Sequence, residues 1–141
     1  AGNWGDPGCA MLTIDRGVAL DIEGPAVAAL TVTPVAAARA VLMEIATSAS
    51  DPGLVSNIAG AEWFVDIDPG EGNGGALDAA DGVFDRPNEA LTAVIDVGGW
   101  DTGSHTLFVR ALDSSNNWGA TVSIDLNVAY KLYLPLVLRD Q

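Results

Sequence analysis

Hydrophobic and polar residues alternate along most of this chain with a period of two. The alternation is clearest near the C-terminus, at the apolar positions Val122, Ile124, Leu126 and Val128. Similar apolar rows are Leu107, Val109 and Ala111; Leu91, Ala93, Ile95 and Val97; Ala61, Trp63 and Val65; and Leu30 with Val32. The residues between them, such as Glu62 and Phe64, are expected on the opposite face. A period of two predicts β-strands with one buried and one solvated face.

Turn-forming residues separate these rows. Clusters such as Asp51-Pro52-Gly53 and Asp68-Pro69-Gly70 are typical of turns. Only the alanine-rich residues 34–46 permit a helix, and residues 41–45 alternate better as a strand. Roughly seven short strands joined by such turns predict an antiparallel β-sandwich, with an open barrel as the alternative. The expected core is Leu30, Val41, Met43, Ile45, Trp63, Val65, Leu91, Ile95, Leu107, Val109, Ile124 and Leu126.

A repeat divides the chain into three parts. Asn3-Trp4-Gly5 recurs as Asn117-Trp118-Gly119, and a strand-like run follows each copy. Residues 1–19 are therefore interpreted as an orphan N-terminal strand, which ends a preceding repeat or is donated to a partner. Residues 20–128 form the sandwich, and residues 129–141 form an apolar C-terminal strand or tail.

Charge and composition exclude several classes of function. Six basic and nineteen acidic residues give a net charge of −13, which argues against binding nucleic acid or an anionic bilayer. The longest uncharged stretch, residues 24–38, contains two prolines and is too short to span a membrane. One cysteine, Cys9, excludes an internal disulfide, and one histidine leaves too few ligands for zinc.

Residues 20–128 resemble the bacterial immunoglobulin-like modules found at the C-terminal ends of secreted proteases and other surface proteins. The resemblance rests on Gly24-Pro25, on residues 61–66, 79–85 and 103–113, and on Asn117-Trp118-Gly119. It implies a sandwich fold, an extracellular or cell-surface location and a non-catalytic role, but no particular ligand. Residues 130–139 resemble the Leu-Pro-Leu tail of secreted Chloroflexi proteins.

An acidic segment between residues 62 and 89 is a candidate calcium site. Its carboxylates include Asp66, Asp68, Glu71, Asp78, Asp81 and Asp85, and several glycines between them allow sharp turns. Calcium takes six to eight oxygen ligands, including carboxylates and carbonyls. The alternative is a solvated acidic surface without an ion.

Catalysis is not predicted from the sequence. His105 is the single histidine, and no serine lies in a nucleophile-elbow motif.

One of the four tryptophans is a candidate platform for binding a sugar. Trp63 is expected in the core, while Trp4 and Trp118 occupy equivalent places in the repeat. Trp100 follows two glycines in a turn and is therefore the tryptophan expected to be free for stacking on a sugar.

The terminal strands are the candidate assembly elements. Leu132, Leu134, Leu136 and Leu138 alternate with Tyr133, Pro135 and Val137, so both faces of this strand are apolar. Such a strand must be covered, either on its own domain or on the sheet edge of another copy. The corresponding N-terminal residues are Ala10, Leu12 and Ile14.

The predicted function is that of a non-catalytic extracellular structural module. Its expected partners are other copies of itself or neighbouring modules, and exchange of terminal strands would join copies into filaments. The alternative is an accessory module of a secreted hydrolase that binds a carbohydrate or the cell surface and is stabilised by calcium.

Overall fold

Seven antiparallel strands form the structure, a computed structural model that describes residues 20–35 and 41–129. The strands are β1 (Ala26–Val35), β2 (Leu42–Ser50), β3 (Ile58–Val65), β4 (Gly75–Ala79), β5 (Asn88–Asp96), β6 (Gly103–Asp113) and β7 (Val122–Val128). A single 3-10 turn at Pro52–Leu54 is the one helical element in these ranges. No described helix is long and apolar enough to cross a membrane.

The strands follow the order β1-β2-β5-β4-β3-β6-β7 in one hydrogen-bonded sheet. The short β4 pairs with β5 through Asp78 and Ala79 and with β3 around Ala76, so it joins the β1-β2-β5 half to the β3-β6-β7 half. The two halves fold over each other into a nearly barrel-shaped sandwich. This order is that of the seven-stranded immunoglobulin sandwich, and the predicted all-β antiparallel fold is confirmed.

The core lies between the two halves of the sheet. Five residues of the expected core are buried, namely Ile45, Leu91, Ile95, Leu107 and Val109. The other seven, Leu30, Val41, Met43, Trp63, Val65, Ile124 and Leu126, are partly buried and pack against them. The buried core also contains Val27, Ala49, Ile58, Leu77, Val97 and Ala111. Within residues 34–46, positions 34–35 belong to β1 and positions 42–46 to β2, so the strand interpretation of residues 41–45 is confirmed for 42–45.

The outer face of β3 and β6 is also covered, which the alternating pattern did not predict. Glu62, Phe64 and Arg110 are all buried. The Arg110 guanidinium donates to the Glu62 carboxylate through Nε at 2.7 Å, and lies 4.8 Å from the centre of the Phe64 ring. Phe64 stacks on Phe108 at 5.0 Å between centroids. The ion pair and its aromatic neighbours therefore form a second, smaller packed layer.

The two edge strands lie beside each other at a seam of the sandwich. Among the described residues, β1 pairs with β2 alone and β7 pairs with β6 alone. The inward residues of β7, including Ile124 and Leu126, are only half-buried. In β1 a register shift between Ala28 and Thr31 interrupts the pairing, where Ala29 adopts a φ of 57°. The core is thus least covered at this seam.

Candidate functional site

Three aspartates meet at the pole of the sandwich where β2 and β6 end. Asp51 follows β2 directly, and Asp113 is the last residue of β6. Asp21 precedes β1, which begins at this pole because Ala26 pairs with Ser50. Each carboxylate can place one oxygen so that all three oxygens lie within 4.8 Å of one another. We call these three residues the polar aspartate cluster, after their position at this pole.

Asp51 is held by its own turn and is 1% exposed. Its Oδ2 accepts hydrogen bonds from the backbone N–H groups of Val55, at 2.7 Å, and Ser56, at 2.9 Å. These bonds fix the turn that follows β2, in which Gly53 has a φ of 77°. Its Oδ1 is also buried but has no hydrogen-bond partner among the described residues. One oxygen of Asp51 therefore holds the turn, and the other accepts no hydrogen bond from the described donors.

Asp113 organises the turn between β6 and β7 in the same manner and is also 1% exposed. Its Oδ1 accepts from the N–H groups of Ser115, at 2.8 Å, and Asn117, at 2.9 Å. Its Oδ2 accepts from the Asn117 side-chain amide at 3.1 Å. The same amide donates to the main-chain oxygen of Asp21 at 3.1 Å. Asn117, from the repeated Asn-Trp-Gly motif, thus connects two members of the cluster.

Asp21 completes the cluster from the segment that precedes β1. Its Oδ2 accepts a hydrogen bond from the Ser56 hydroxyl, which lies 2.7 Å from the Ser115 hydroxyl. The hydrogen bond from Ser56 is the largest influence on the pKa of Asp21 and lowers it. Partial burial of the carboxylate opposes this shift, but the pKa remains below its ordinary value. Two serine hydroxyls therefore lie among the three carboxylates.

A close backbone crossing fixes the segment that carries Asp21. A Cβ added at Gly119 would lie 1.8 Å from the Pro25 carbonyl oxygen, and one at Gly24 would lie 2.2 Å from the Trp118 carbonyl carbon. Only glycine leaves room for two backbones at this distance. The Gly24-Pro25 and Trp118-Gly119 pairs therefore lock the start of β1 against the β6–β7 turn.

The acidic segment predicted to bind calcium is divided among separate places. Asp66 accepts from Thr106 N–H and lies 2.7 Å from His105, while Asp68 pairs with Arg110. Asp81 and Asp85 form an exposed group with Glu89. Glu71 and Asp78 are exposed on the 66–74 connection and on β4. Three of the six carboxylates, Asp66, Asp68 and Asp85, thus already contact a protein cation or an imidazole. Calcium binding by this segment stays a prediction.

His105 and Trp100 contact each other at the opposite pole. The two ring nitrogens of His105 lie 2.7 Å from Asp66 Oδ2 and 2.8 Å from the Asp101 carbonyl oxygen. The carbonyl, followed by the Asp66 carboxylate, raises the pKa of His105. The Trp100 ring is half-buried, 5.4 Å from the imidazole, and packs partly on the core. Sugar binding at Trp100 stays a prediction. Less of its ring surface is exposed than its place in a turn led us to expect.

The predicted assembly residues lie outside the described ranges. They are Ala10, Leu12 and Ile14 in the N-terminal strand and Leu132, Leu134, Leu136 and Leu138 in the tail. The structure does describe the two sheet edges, β1 and β7, that such strands would meet.

Sequence reasoning missed the polar aspartate cluster because its members come from three distant parts of the chain, the segment before β1 and the turns after β2 and β6. Asp51 and Asp113 each resemble an ordinary turn aspartate that binds the next backbone N–H groups. The available signal was the placement of aspartates at the ends of two strands and before the start of a third, all at one pole. Comparison with protein-family models, curated proteins and solved structures found no match to this chain.

Proposed function

We propose that this chain is a non-catalytic structural module of an extracellular or surface protein, and that its copies join by exchange of terminal strands. The observation that carries the proposal is the seam between β1 and β7. Both strands are sheet edges in the described residues, and their inward apolar side chains are largely half-buried. A further strand at the seam would bury this surface and pair with an open edge.

Edge strands with unpaired N–H and C=O groups are templates for strand addition. The β7 edge offers seven residues, Val122–Val128, and its apolar positions alternate regularly. The segment at 132–138 has matching alternation and two apolar faces. Main-chain hydrogen bonds would provide the strength of this contact, and the alternating side chains would set its register.

The source of the added strand decides the assembly. A tail that returns to its own seam caps the module and gives a monomer. A tail that enters the seam of the next copy makes a head-to-tail contact, which does not close on itself and so extends into a filament. We propose the second arrangement, with the first as the alternative outcome of the test.

The chemistry of the two poles supports a structural role. Buried Asp51 and Asp113 hold the backbone of their own turns through N–H hydrogen bonds. His105, the one histidine, has both ring nitrogens within hydrogen-bond distance of an oxygen. These contacts order the connections between strands, which is the work that a structural module requires.

The test is the molar mass of the intact chain by light scattering over a concentration series, with electron microscopy of any heavy fraction. Strand exchange predicts polymers for the intact chain and a folded monomer for a chain that lacks residues 130–141 or 1–16. A synthetic peptide of residues 130–139 should bind to the shortened chain at the seam between β1 and β7. The matched control peptide carries Leu134→Asp and Leu136→Asp. A monomeric intact chain, or assembly that survives both deletions, would refute the exchange.

A further inference from the structure

We propose that the polar aspartate cluster, Asp21, Asp51 and Asp113, binds one divalent cation, and that its ligand chemistry selects calcium. This site is separate from the acidic segment at residues 66–85 and goes beyond the structural role proposed above. The proposal rests on three carboxylates that no described basic residue neutralises, on a buried oxygen that no described donor satisfies, and on the kind of ligand atoms present.

The first observation is three carboxylates with no basic side chain beside them among residues 20–35 and 41–129. Two of the three, Asp51 and Asp113, are 1% exposed, where water screens charge least. Arg86 and Arg110, the basic residues of the described ranges, form their ion pairs with other carboxylates. Three like charges with oxygens within 4.8 Å repel strongly in such surroundings unless a positive charge joins them.

The second observation is independent of the charge count. Asp51 Oδ1 is a buried carboxylate oxygen without a hydrogen-bond partner in the described part of the chain, while Oδ2 of the same group accepts two N–H bonds. A buried acceptor without a partner is costly, and a charged one more so. In a native fold such an atom calls for an explanation, and a metal ion is among those that apply. The turn after β2 thus holds Asp51 rigidly while leaving one oxygen available.

The ligand atoms identify the class of ion. The described cluster offers oxygens alone, from three carboxylates and from the hydroxyls of Ser56 and Ser115. Zinc favours nitrogen and sulfur ligands, and magnesium retains several waters and usually takes one or two carboxylates. A site with three carboxylates and further oxygens matches the preference of calcium for six to eight oxygen ligands.

A second acidic group on the same pole provides a control. Asp81, Asp85 and Glu89 can also bring three oxygens together, but two of the three residues are exposed. Glu89 Oε2 accepts from the N–H groups of Asp85 and Arg86. Water and backbone N–H groups can therefore donate hydrogen bonds to these carboxylates, so we assign no ion to this group.

Calcium in the polar aspartate cluster would connect three segments of the chain. Asp21 lies before β1, Asp51 after β2 and Asp113 at the end of β6. A ligand that binds only the folded arrangement stabilises it according to its concentration and dissociation constant. The ion would therefore strengthen the pole at which the chain enters β1.

The experiment uses the intact chain, freed of metal with a chelator, and calcium chloride as the probe. Isothermal titration calorimetry should report one ion per chain. The melting temperature should rise by roughly 5–15 °C when calcium is about 100-fold above its dissociation constant. Magnesium chloride at equal concentration should produce a smaller shift. No heat of binding and identical melting curves in chelator and calcium would overturn the proposal.

The deciding variant is Asp51→Asn. Its amide oxygen can still accept the two N–H bonds, and its amide nitrogen would place a donor where the orphan oxygen lies. Without calcium this variant should melt at or above the temperature of the original chain, and it should lose the shift with calcium. Asp85→Asn is the matched control and should retain the full shift. A full shift in the Asp51→Asn chain would move calcium to another site and refute the assignment.

Two further measurements keep the test decisive. If Asp51→Asn does not fold, Asp21→Asn replaces it, because Asp21 is only half-buried and its loss should abolish binding without unfolding the core. Arg16 lies outside the described residues and is the nearest basic residue in sequence to Asp21. If calcium has no effect and Arg16→Gln lowers the melting temperature, the chain supplies its own cation and the calcium site is refuted.

Discussion

Removing one partner of the Arg110–Glu62 ion pair should be among the most damaging single changes in the described fold. Both side chains are about 95% buried, since Arg110 is 5% and Glu62 4% exposed. Besides the arginine, the Glu62 carboxylate accepts from the backbone N–H groups of Gly72, at 3.2 Å, and Gly74, at 3.1 Å. Glu62→Ala therefore leaves the buried guanidinium with only the exposed Asp68 carboxylate as its partner. It also leaves the two N–H groups without their acceptor.

The expected loss follows from these contacts. Breaking a buried pair by deleting one partner costs about 3–5 kcal/mol, because the remaining charge stays desolvated. With a urea slope of about 1.5 kcal/mol/M for a domain of this size, the unfolding midpoint should fall by about 2–3 M. Unfolding is measured by tryptophan fluorescence, with the slope compared between variants to check that the denatured state is unchanged.

Asp68→Ala is the matched control because it removes the other carboxylate bound to the same arginine. Asp68 accepts from both terminal nitrogens of Arg110 at 3.0 Å, but its side chain is 53% exposed. An exposed pair contributes about 0–1 kcal/mol, so the midpoint should fall by less than about 0.7 M. Equal losses in the two variants would refute the reasoning. Arg110→Met added to Glu62→Ala should recover part of the loss, since it removes the buried charge that has lost its buried partner.

Two other predictions concern the poles. Gly119→Ala should lower the free energy of unfolding, measured by urea denaturation, by more than about 2 kcal/mol, because a Cβ would lie 1.8 Å from the Pro25 oxygen. Gly99→Ala is the control and should be nearly neutral, because no atom lies within contact of its added Cβ. The His105 pKa is raised above 6.5, so its contribution to stability is complete below pH 6.5 and is lost as pH rises through the folded pKa. An NMR titration of this single imidazole should show that elevation, and Asp66→Asn should reduce it; a midpoint at or below 6.5 in the original chain would contradict the contacts seen at that pole.

The strands were predictable because their inward and outward residues differ in polarity. Ile45, Leu91 and Leu107 each belong to a row with a period of two and are buried as expected. The covered outer face was not predictable from the same rule. The alternating pattern predicts that Glu62 and Arg110 face solvent. Their burial depends instead on the 66–74 connection, which folds back over β3 so that the N–H groups of Gly72 and Gly74 donate to Glu62.

The two acidic regions show a similar limit. A run of carboxylates in sequence suggested one ion site, yet Asp66 and Asp68 are adjacent to His105 and Arg110, which come from a distant strand. The polar aspartate cluster, which has the stronger electrostatic argument, is assembled from two turns and the segment before β1. Spacing along the chain cannot reveal such a site, because strand order rather than sequence distance brings its members together.

The direction of the two edge strands, β1 and β7, determines how this fold would respond to a mechanical load. β1 starts at the pole of the aspartate cluster, and β7 ends at the opposite pole, where Val128 pairs with Gly103. A pull applied at residues 20 and 129 would act along β1 and β7, so their hydrogen bonds to β2 and β6 would be sheared together rather than opened one by one. The strands are about 20–35 Å long at roughly 3.3 Å per residue. A tandem array of such modules would therefore behave as a stiff tether that resists extension until a whole edge strand slides free.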